Sequence, residues 1–436
     1  MEDTAVRPNP LIEATRFPAW LPTLRARRGP VQTLARKLVL KKLEDIAEGE
    51  LEFVDGRDRF VFGRVDASYD VRAGVDIRDA SLYPTMAFGG SIGAAEAYMN
   101  GAWNTPDLTS VVRVFVRNRD VLDGMEEGAA RLLVPLHKLY HRFRDNSLSG
   151  SRKNIQAHYD LGNDFYALFL DDTMMYSSGI FERETSTLRE ASIAKIDRVC
   201  RKLELKASDH LVEIGTGWGG FAIHAATRYG CRVTTTTISR RQYEFALERV
   251  RALGLADRVT VLFRDYRELE GTYDKLVSIE MIEAVGHAYY DQFFARCARL
   301  LKPDGLMALQ AITIADQYYE RALRSVDFIQ RYVFPGSTIP SVSAICSSVS
   351  RSGDLRLVHH EDLTPHYART LALWRERFLA NLDAVRALGY GERFIRMWEY
   401  YLCYCEGGFA ERAIGSVQMV FAKPKNRSAL FLGGVV

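Results

Sequence analysis

The stretch Leu211-Val212-Glu213-Ile214-Gly215-Thr216-Gly217-Trp218-Gly219-Gly220 carries the strongest chemical signal in the chain. An apolar run reaches an acidic position and then a glycine-rich turn. Glycines let the backbone approach a ligand closely and tolerate positive φ. The start of a following helix offers N–H groups to a carboxylate or phosphate. A dinucleotide site wants GxGxxG, which Gly215, Gly217 and Gly220 satisfy. It also wants a carboxylate about 20 positions on, at the end of the second strand. Here that strand ends Thr234-Thr235-Thr236-Thr237-Ile238-Ser239, with no carboxylate. A glycine turn with a purely structural role is a further reading.

The position of Glu213 within hhEhGxGxG matches the pattern of class I S-adenosylmethionine-dependent methyltransferases. In that reading its carboxylate faces the ammonium of the methionine moiety. Asp265-Tyr266 follows the third strand, where such enzymes place an acidic contact to the adenine amino group. The six cysteines show no zinc-like double pair; Cys403 and Cys405 form only a CxC. No metal site is expected.

These residues need a scaffold. From about 188 onward, helical and apolar strand patterns alternate. Helices are expected at 188–204, 218–229, 240–253 and 289–301. Strands are expected at 210–214, 231–238, Val259–Phe263, Lys275–Ile279, Leu306–Ile314 and Ser416–Lys423. Lys302-Pro303-Asp304-Gly305 reads as the stop of the fourth helix. Such alternation means a parallel, doubly wound α/β sheet.

The N-terminal part reads differently. Residues 31–47 form a basic helix with Leu34, Leu38, Leu43 and Ile46 as its expected buried positions. Its Arg36, Lys37, Lys41 and Lys42 suit an anionic membrane surface. Alternation over 50–80 predicts strands, and 81–130 turns helical with a glycine-rich entry at Phe88-Gly89-Gly90, giving a small α+β domain over about 25–130. The polar, basic stretch 137–153 is the expected linker. The boundaries are therefore 1–136, 137–153 and 154–436.

Composition narrows the class. The chain has 436 residues, 47% of them hydrophobic, and a net charge of +3, too mild to imply nucleic acid. No apolar run of about 18 residues predicts a membrane span, and the first ten residues hold no signal core. A reduced, cytoplasmic protein at the inner membrane face is the expectation.

Several stretches together resemble the cyclopropane-fatty-acyl-phospholipid synthase family, which includes the mycolic acid cyclopropane synthases. They are Gln156–Tyr166, Met175-Tyr176-Ser177-Ser178, Glu213–Gly220, Thr237-Ile238-Ser239 with Gln242, Asp265-Tyr266-Arg267 and Met281–Gly286. Tyr332–Gly336, Ile339-Pro340-Ser341 and His366–Leu371 with Trp374, Arg377 and Phe378 complete the series. Ala97–Gly101 with Trp103 resembles the family's smaller lipid-binding domain.

The resemblance implies a class I methyltransferase fold with a smaller N-terminal α+β lipid-binding domain. It implies that S-adenosylmethionine is covered by Tyr176 and Ser177. Gly215, Thr216, Gly217 and Gly219 would lie under its methionine part, Thr237 and Gln242 would meet the ribose and adenine side, and Asp265 and Tyr266 would follow. It implies a bicarbonate ion held by Glu283 and Tyr367, with Gln310 and Ile312 at the positions of two further contacts, and it puts Ser178 in the catalytic set. Cys405 matches a family position proposed as catalytic, although no covalent intermediate is needed. The implied reaction adds a methylene carbon across the cis double bond of an unsaturated phospholipid acyl chain. Methyl- or methylene-branched products and a non-catalytic lipid-binding role are the alternatives. The family also implies a homodimer.

The chemistry makes demands on the site. An alkene is a weak nucleophile and must be held close to the sulfonium methyl. The resulting carbocation needs a dry chamber, which Tyr159, Phe165, Tyr166 and Phe169 would help to line. A base must then take a proton. His158 is expected to serve as a hydrogen-bonding residue beside this entry. Some family members carry Cys at Ser178 and Thr216, and His at Ala284 and Gln310. Glutamine, unlike histidine, cannot titrate, so the fate of the cation is the open step.

Overall fold

The computed structural model describes residues 29–121 and 161–428. The expected linker at 137–153, together with His158 and Tyr159, lies outside the described residues. The chain divides into two units: Met1–Phe143 with Ser325–Pro335 and Phe378–Ala413, and Arg144–Arg324 with Gly336–Arg377 and Ile414–Val436. The division is therefore not contiguous, whereas the sequence reading kept 154–436 together.

The first unit opens with α1 (Pro30–Leu43). Proline suits this first turn because the missing N–H would have no partner there. The helix buries Ala35, Val39 and Leu43, while Leu34 and Leu38, expected inside, are 61% and 53% exposed. The reason lies in Arg36, which pairs with Asp55 and Asp58 at 2.7 Å each. That pairing turns the neighbouring stripe of positions 35, 39 and 43 inward.

Strands β1 (Gly49–Asp55), β2 (Asp58–Arg64), β3 (Arg72–Ile77) and β4 (Trp103–Asn104) form a sheet in the order β2-β1-β3-β4. β1 alternates buried and half-buried side chains, the mark of a sheet with one face covered. Helices α2 (Leu82–Met99) and α3 (Leu108–Arg117) pack in this unit with a helix at Glu392–Ala410. The glycines expected to open α2 lie inside it, and Gly90 kinks it at φ 57°. Asp107 caps α3 by accepting from the Ser110 N–H at 3.0 Å.

The second unit is built from α4 (Leu188–Lys202), β5 (His210–Ile214), α5 (Gly220–Tyr229), β6 (Arg232–Thr237), α6 (Arg240–Ala252), β7 (Val259–Phe263), β8 (Tyr273–Ile279), α7 (Tyr290–Leu300) and β9 (Leu301–Ile314). α8 (Val342–Ser352), β10 (Arg356–Asp362), α9 (Thr364–Ala380, in this unit to Arg377) and β11 (Ile414–Ala422) follow. The sheet order is β10-β11-β9-β8-β5-β6-β7. β5 to β9 are parallel, and β11 runs antiparallel between β9 and β10. This is a doubly wound sheet of the class I methyltransferase type, and its strand order reverses between β5 and β8. Ligands of such sheets bind at the carboxyl ends of the strands flanking that reversal.

Apolar clusters on the two sheet faces hold the unit together. One centres on Phe293, Phe294, Leu276 and Met419, the other on Phe221, Val199, Leu211 and Val420. β10 was not foreseen, because Arg356–Asp362 is mostly polar and sits at the sheet edge. β9 begins at Leu301 rather than 306: Leu301 already pairs with Tyr273 of β8, and Lys302–Gly305 form an irregularity before the pairing resumes at Leu306 with Lys275. No described helix is long and apolar enough to cross a membrane.

Candidate active site

The carboxyl ends of β5 and β8 place two groups of residues at the switch point. At β5 the chain turns through Gly215 at φ 101° and enters α5 from Gly219 at φ 86°. Both values lie in the region open to glycine. The N–H groups of Gly215 and Thr216 donate to the Thr236 carbonyl at 3.1 and 3.0 Å, which pins the turn to β6. A Cβ added at Gly217 would enter open space, so the outer side of the turn is clear for a ligand.

The threonine run of β6 serves the acidic residue at the end of β5. Thr235 Oγ1 donates to Glu213 at 2.6 Å and is joined to Thr216 Oγ1 at 2.7 Å. Burial pushes the Glu213 carboxyl up to about 8. A ligand ammonium would relieve that cost, so the donor set and the open turn fit S-adenosylmethionine. Thr237 Oγ1 donates to Gln242 Oε1 at 2.9 Å, so these two expected contacts are brought together. Asp265 is buried, and Arg267 takes both its oxygens, at 2.9 and 2.8 Å. Tyr266 packs edge-on against Phe293.

An aromatic series runs from the turn towards β8. Trp218 meets Tyr166 at 5.0 Å between ring centroids, Tyr166 meets Tyr176 at 5.2 Å, and Tyr176 meets Trp374 at 5.3 Å. Tyr367 stands perpendicular to Trp374 at 6.2 Å. Phe165 and Phe169 are fully buried within the same group. Ser177, beside Tyr176, accepts from the buried Lys195 Nζ at 2.7 Å. Burial lowers Lys195 to about 8. Sequence reasoning did not find Lys195; its place amid the apolar positions of α4 was the available signal.

At β8 the central residue is Glu280, which the sequence reading passed over. Tyr367 Oη donates to its Oε2 at 2.6 Å. Gln310 Nε2 and the Ser178 N–H donate to its Oε1 at 2.7 and 3.0 Å. Thus Tyr367, Gln310 and Ser178 converge on a glutamate of the protein. Burial raises the Glu280 carboxyl, and these three hydrogen bonds oppose that shift. The signal in the sequence was Glu280-Met281-Ile282-Glu283, two carboxylates straight after a central strand.

Glu283 lies next to this set. Its Oε1 accepts from the Ile312 N–H at 2.5 Å, while its buried Oε2 has no hydrogen-bond partner. Burial, then the neighbouring Glu280, pushes it up to about 8. The donors expected to hold bicarbonate are therefore already joined to two glutamates. That ion does not fit the arrangement.

A second line of polar residues lies beneath Glu280. Lys202, fully buried, pairs with Glu361 and donates to Gln418 Oε1 at 2.7 Å. Gln418 Nε2 then donates to Gln310 Oε1 at 2.9 Å. Gln418 and Gln310 are direct partners across β11 and β9. Cys405 belongs to the first unit, on the helix Glu392–Ala410, and is not part of these hydrogen-bond sets. Burial pushes its thiol up, which removes the thiolate that nucleophilic catalysis requires.

The chain is similar to known proteins over most of its length. Residues 146–419 match the family described as mycolic acid cyclopropane synthetase. The tuberculostearic acid methyltransferase UfaA1 of Mycobacterium tuberculosis is 36% identical over 416 residues, covering 93% of this chain and 95% of the relative. The cyclopropane-fatty-acyl-phospholipid synthase of Escherichia coli is 34% identical over 364 residues, 80% of this chain and 88% of the relative. Among solved structures, the cyclopropane synthase MmaA2 from Mycobacterium tuberculosis superposes with a TM-score of 0.59 at 33% identity, covering 62% of this chain and 98% of that one. The mycolic acid cyclopropane synthase CmaA1 complexed with SAH and CTAB gives 0.59 at 34% identity over the same shares.

Proposed function

The chain belongs to the mycolic acid cyclopropane synthetase family of S-adenosylmethionine-dependent lipid-modifying transferases, and from that premise we propose that it methylates the cis double bond of an unsaturated phospholipid acyl chain. The observation that carries the reading is the continuity of the site. The cofactor turn, an aromatic series and a buried acid pair adjoin one another within a single unit.

Bound at the turn, S-adenosylmethionine supplies an electrophilic methyl group. Glu213 would meet its ammonium, the open side of Gly217 would admit it, and Thr237 with Gln242 would hold the ribose and adenine side. Tyr166, Tyr176 and Trp374 shield the site from water. Their ring faces favour positive charge on the acyl chain. Glu280 and Glu283 stand where a proton must finally be taken up.

The cation has two outcomes. Loss of a proton from the new methyl closes a cyclopropane ring; loss from a neighbouring carbon leaves a branched chain. The relative that aligns over 93% of this chain is named for methyl transfer, which favours the branched product. We place the substrate in the bilayer and the protein at an anionic membrane surface, in keeping with the basic exposed face of α1.

Incubation with methyl-labelled cofactor and vesicles of unsaturated phospholipid tests this reading. Label is expected in the acyl chain, with vinylic or methyl proton signals for a branch and the high-field methylene signal for a ring. Tyr367→Phe removes a hydrogen bond to a buried carboxylate and should lower turnover about 10- to 100-fold. Glu283→Gln, run alongside, is expected to lower turnover with cofactor affinity retained. Absence of label from every unsaturated phospholipid tried would reject the proposal.

A further inference from the structure

The seat expected for an external anion holds a side chain of the protein. Three donors from three separate segments meet on Glu280: Ser178 N–H before α4, Gln310 Nε2 on β9 and Tyr367 Oη on α9. The Glu280 backbone N–H also donates to the Gln310 carbonyl at 2.8 Å. Gln310 therefore grips the residue by main chain and side chain alike.

Two independent features show that this carboxylate is built in. Glu280 has φ 47°, in the left-handed region. A residue with a Cβ is disfavoured there, and glycine would relax it. Such strain persists where the surroundings over-determine it, often at functional sites. The second feature is the orientation of Gln310. An amide can present either its oxygen or its nitrogen. Lys202 fixes the Gln418 oxygen, so Gln418 presents its nitrogen to Gln310, and Gln310 in turn presents its nitrogen to Glu280. Lys202, Gln418 and Gln310 thus form a directed series that ends as a donor aimed at an anion.

We propose that Glu280 is the protein's own base: it fills the anion seat formed by Ser178, Gln310 and Tyr367 and takes the proton shed by the acyl cation, so that turnover needs no bicarbonate. This rests on the acyl-methylation reading above. In the step, one C–H bond breaks, either on a carbon next to the cationic one or on the new methyl one carbon further away. Its electron pair forms the new carbon–carbon bond, as a double bond or a ring, and the proton joins a Glu280 oxygen. The carboxylic acid so formed returns its proton to water before the next turnover. Gln310 and Tyr367 act as positioning residues in this step.

The experiment compares the native protein with Glu280→Gly in buffer stripped of carbon dioxide and in buffer with sodium bicarbonate. Native turnover should be the same in both. Glu280→Gly relieves the backbone strain and should bind S-adenosylmethionine normally by calorimetry, yet lose turnover about 100-fold or more without bicarbonate. Bicarbonate should then restore a saturable part of that turnover by filling the vacated seat. Glu280→Gln keeps the bulk and should not be rescued. Titration of bicarbonate alone, followed by calorimetry, should show binding to Glu280→Gly and none to the native protein. Slower native turnover on bicarbonate removal, bicarbonate binding to the native protein, or full activity of Glu280→Gly without it would each overturn the proposal. Because the titration needs no turnover, it stands even if no phospholipid is methylated, an outcome that would count against the function reading alone.

Discussion

Glu213 sits with its carboxyl raised to about 8 beside a turn that fits a cationic ligand. At pH 7 such a group is mostly protonated in the ligand-free protein. Its stabilising contribution is full below the ordinary carboxyl range and is lost as pH rises through about 8, since the unfolded chain would release the proton earlier. The buried Lys195, lowered to about 8, acts in the opposite sense above that pH. Binding a ligand ammonium favours the Glu213 carboxylate, so at pH 7 cofactor binding should release about one proton. Calorimetry in buffers of different ionisation enthalpy counts that proton, and Glu213→Gln should abolish it. S-adenosylhomocysteine keeps the ammonium and lacks the sulfonium, so an equal release with it would assign the effect to the ammonium. Zero release with both ligands would remove Glu213 from the site. Glu213 was legible in the sequence because its strand and glycine turn are contiguous. Glu280 was not: its partners come from residues 178, 310 and 367, and only the fold brings them together.

At the scale of elements, the parallel core was legible because each strand and crossover helix carries its own periodicity and stop signals. The antiparallel end was less so. β11 was expected from its apolar run, but its insertion between β9 and β10 depends on long-range pairing. That insertion sets Gln418 opposite Gln310, a polar pair fully inside the sheet. Isolated buried amides carry a penalty unless satisfied, and here both are. Gln418→Glu separates packing from orientation. Glutamate still accepts from Lys202 but cannot donate to Gln310, so the Gln310 amide should turn its oxygen towards Glu280. Turnover is expected to fall about tenfold or more, the scale of a lost hydrogen bond to a charged group. Cofactor affinity should change little, while thermal stability should fall, because a carboxylate is buried and two acceptors face each other. An unaltered turnover would show that the orientation of Gln310 is irrelevant.

For the whole molecule the question is how the protein would reach the substrate proposed above, an acyl chain held in a bilayer. Helix α1 offers a specific answer within the first unit. Val31, Leu34 and Leu38 are 61%, 61% and 53% exposed, and with Lys41 they share one stripe at helical spacing. Leu34 and Leu38 were expected inside, because periodicity alone shows that a stripe exists and not which of two adjacent stripes faces the core. Arg36, expected to meet lipid, is held instead by Asp55 and Asp58, and Lys42 is paired with Asp45 at 2.9 Å. Lys37 and Lys41 remain exposed beside the apolar stripe. An amphipathic helix of this kind lies in the interface with its apolar residues among the acyl chains and its lysines near anionic headgroups. We therefore expect binding to vesicles rich in anionic phospholipid, weakened but not abolished by salt, since screening acts on the lysines and not on the leucines. Leu34→Ser with Leu38→Ser should reduce the salt-resistant part of binding. Lys37→Gln with Lys41→Gln should reduce the salt-sensitive part. Both pairs lie in the first unit and leave every site residue of the second unchanged, so both should leave methylation of detergent-dispersed substrate intact while slowing it on vesicles. Vesicle binding unchanged by both pairs would move the membrane contact away from α1.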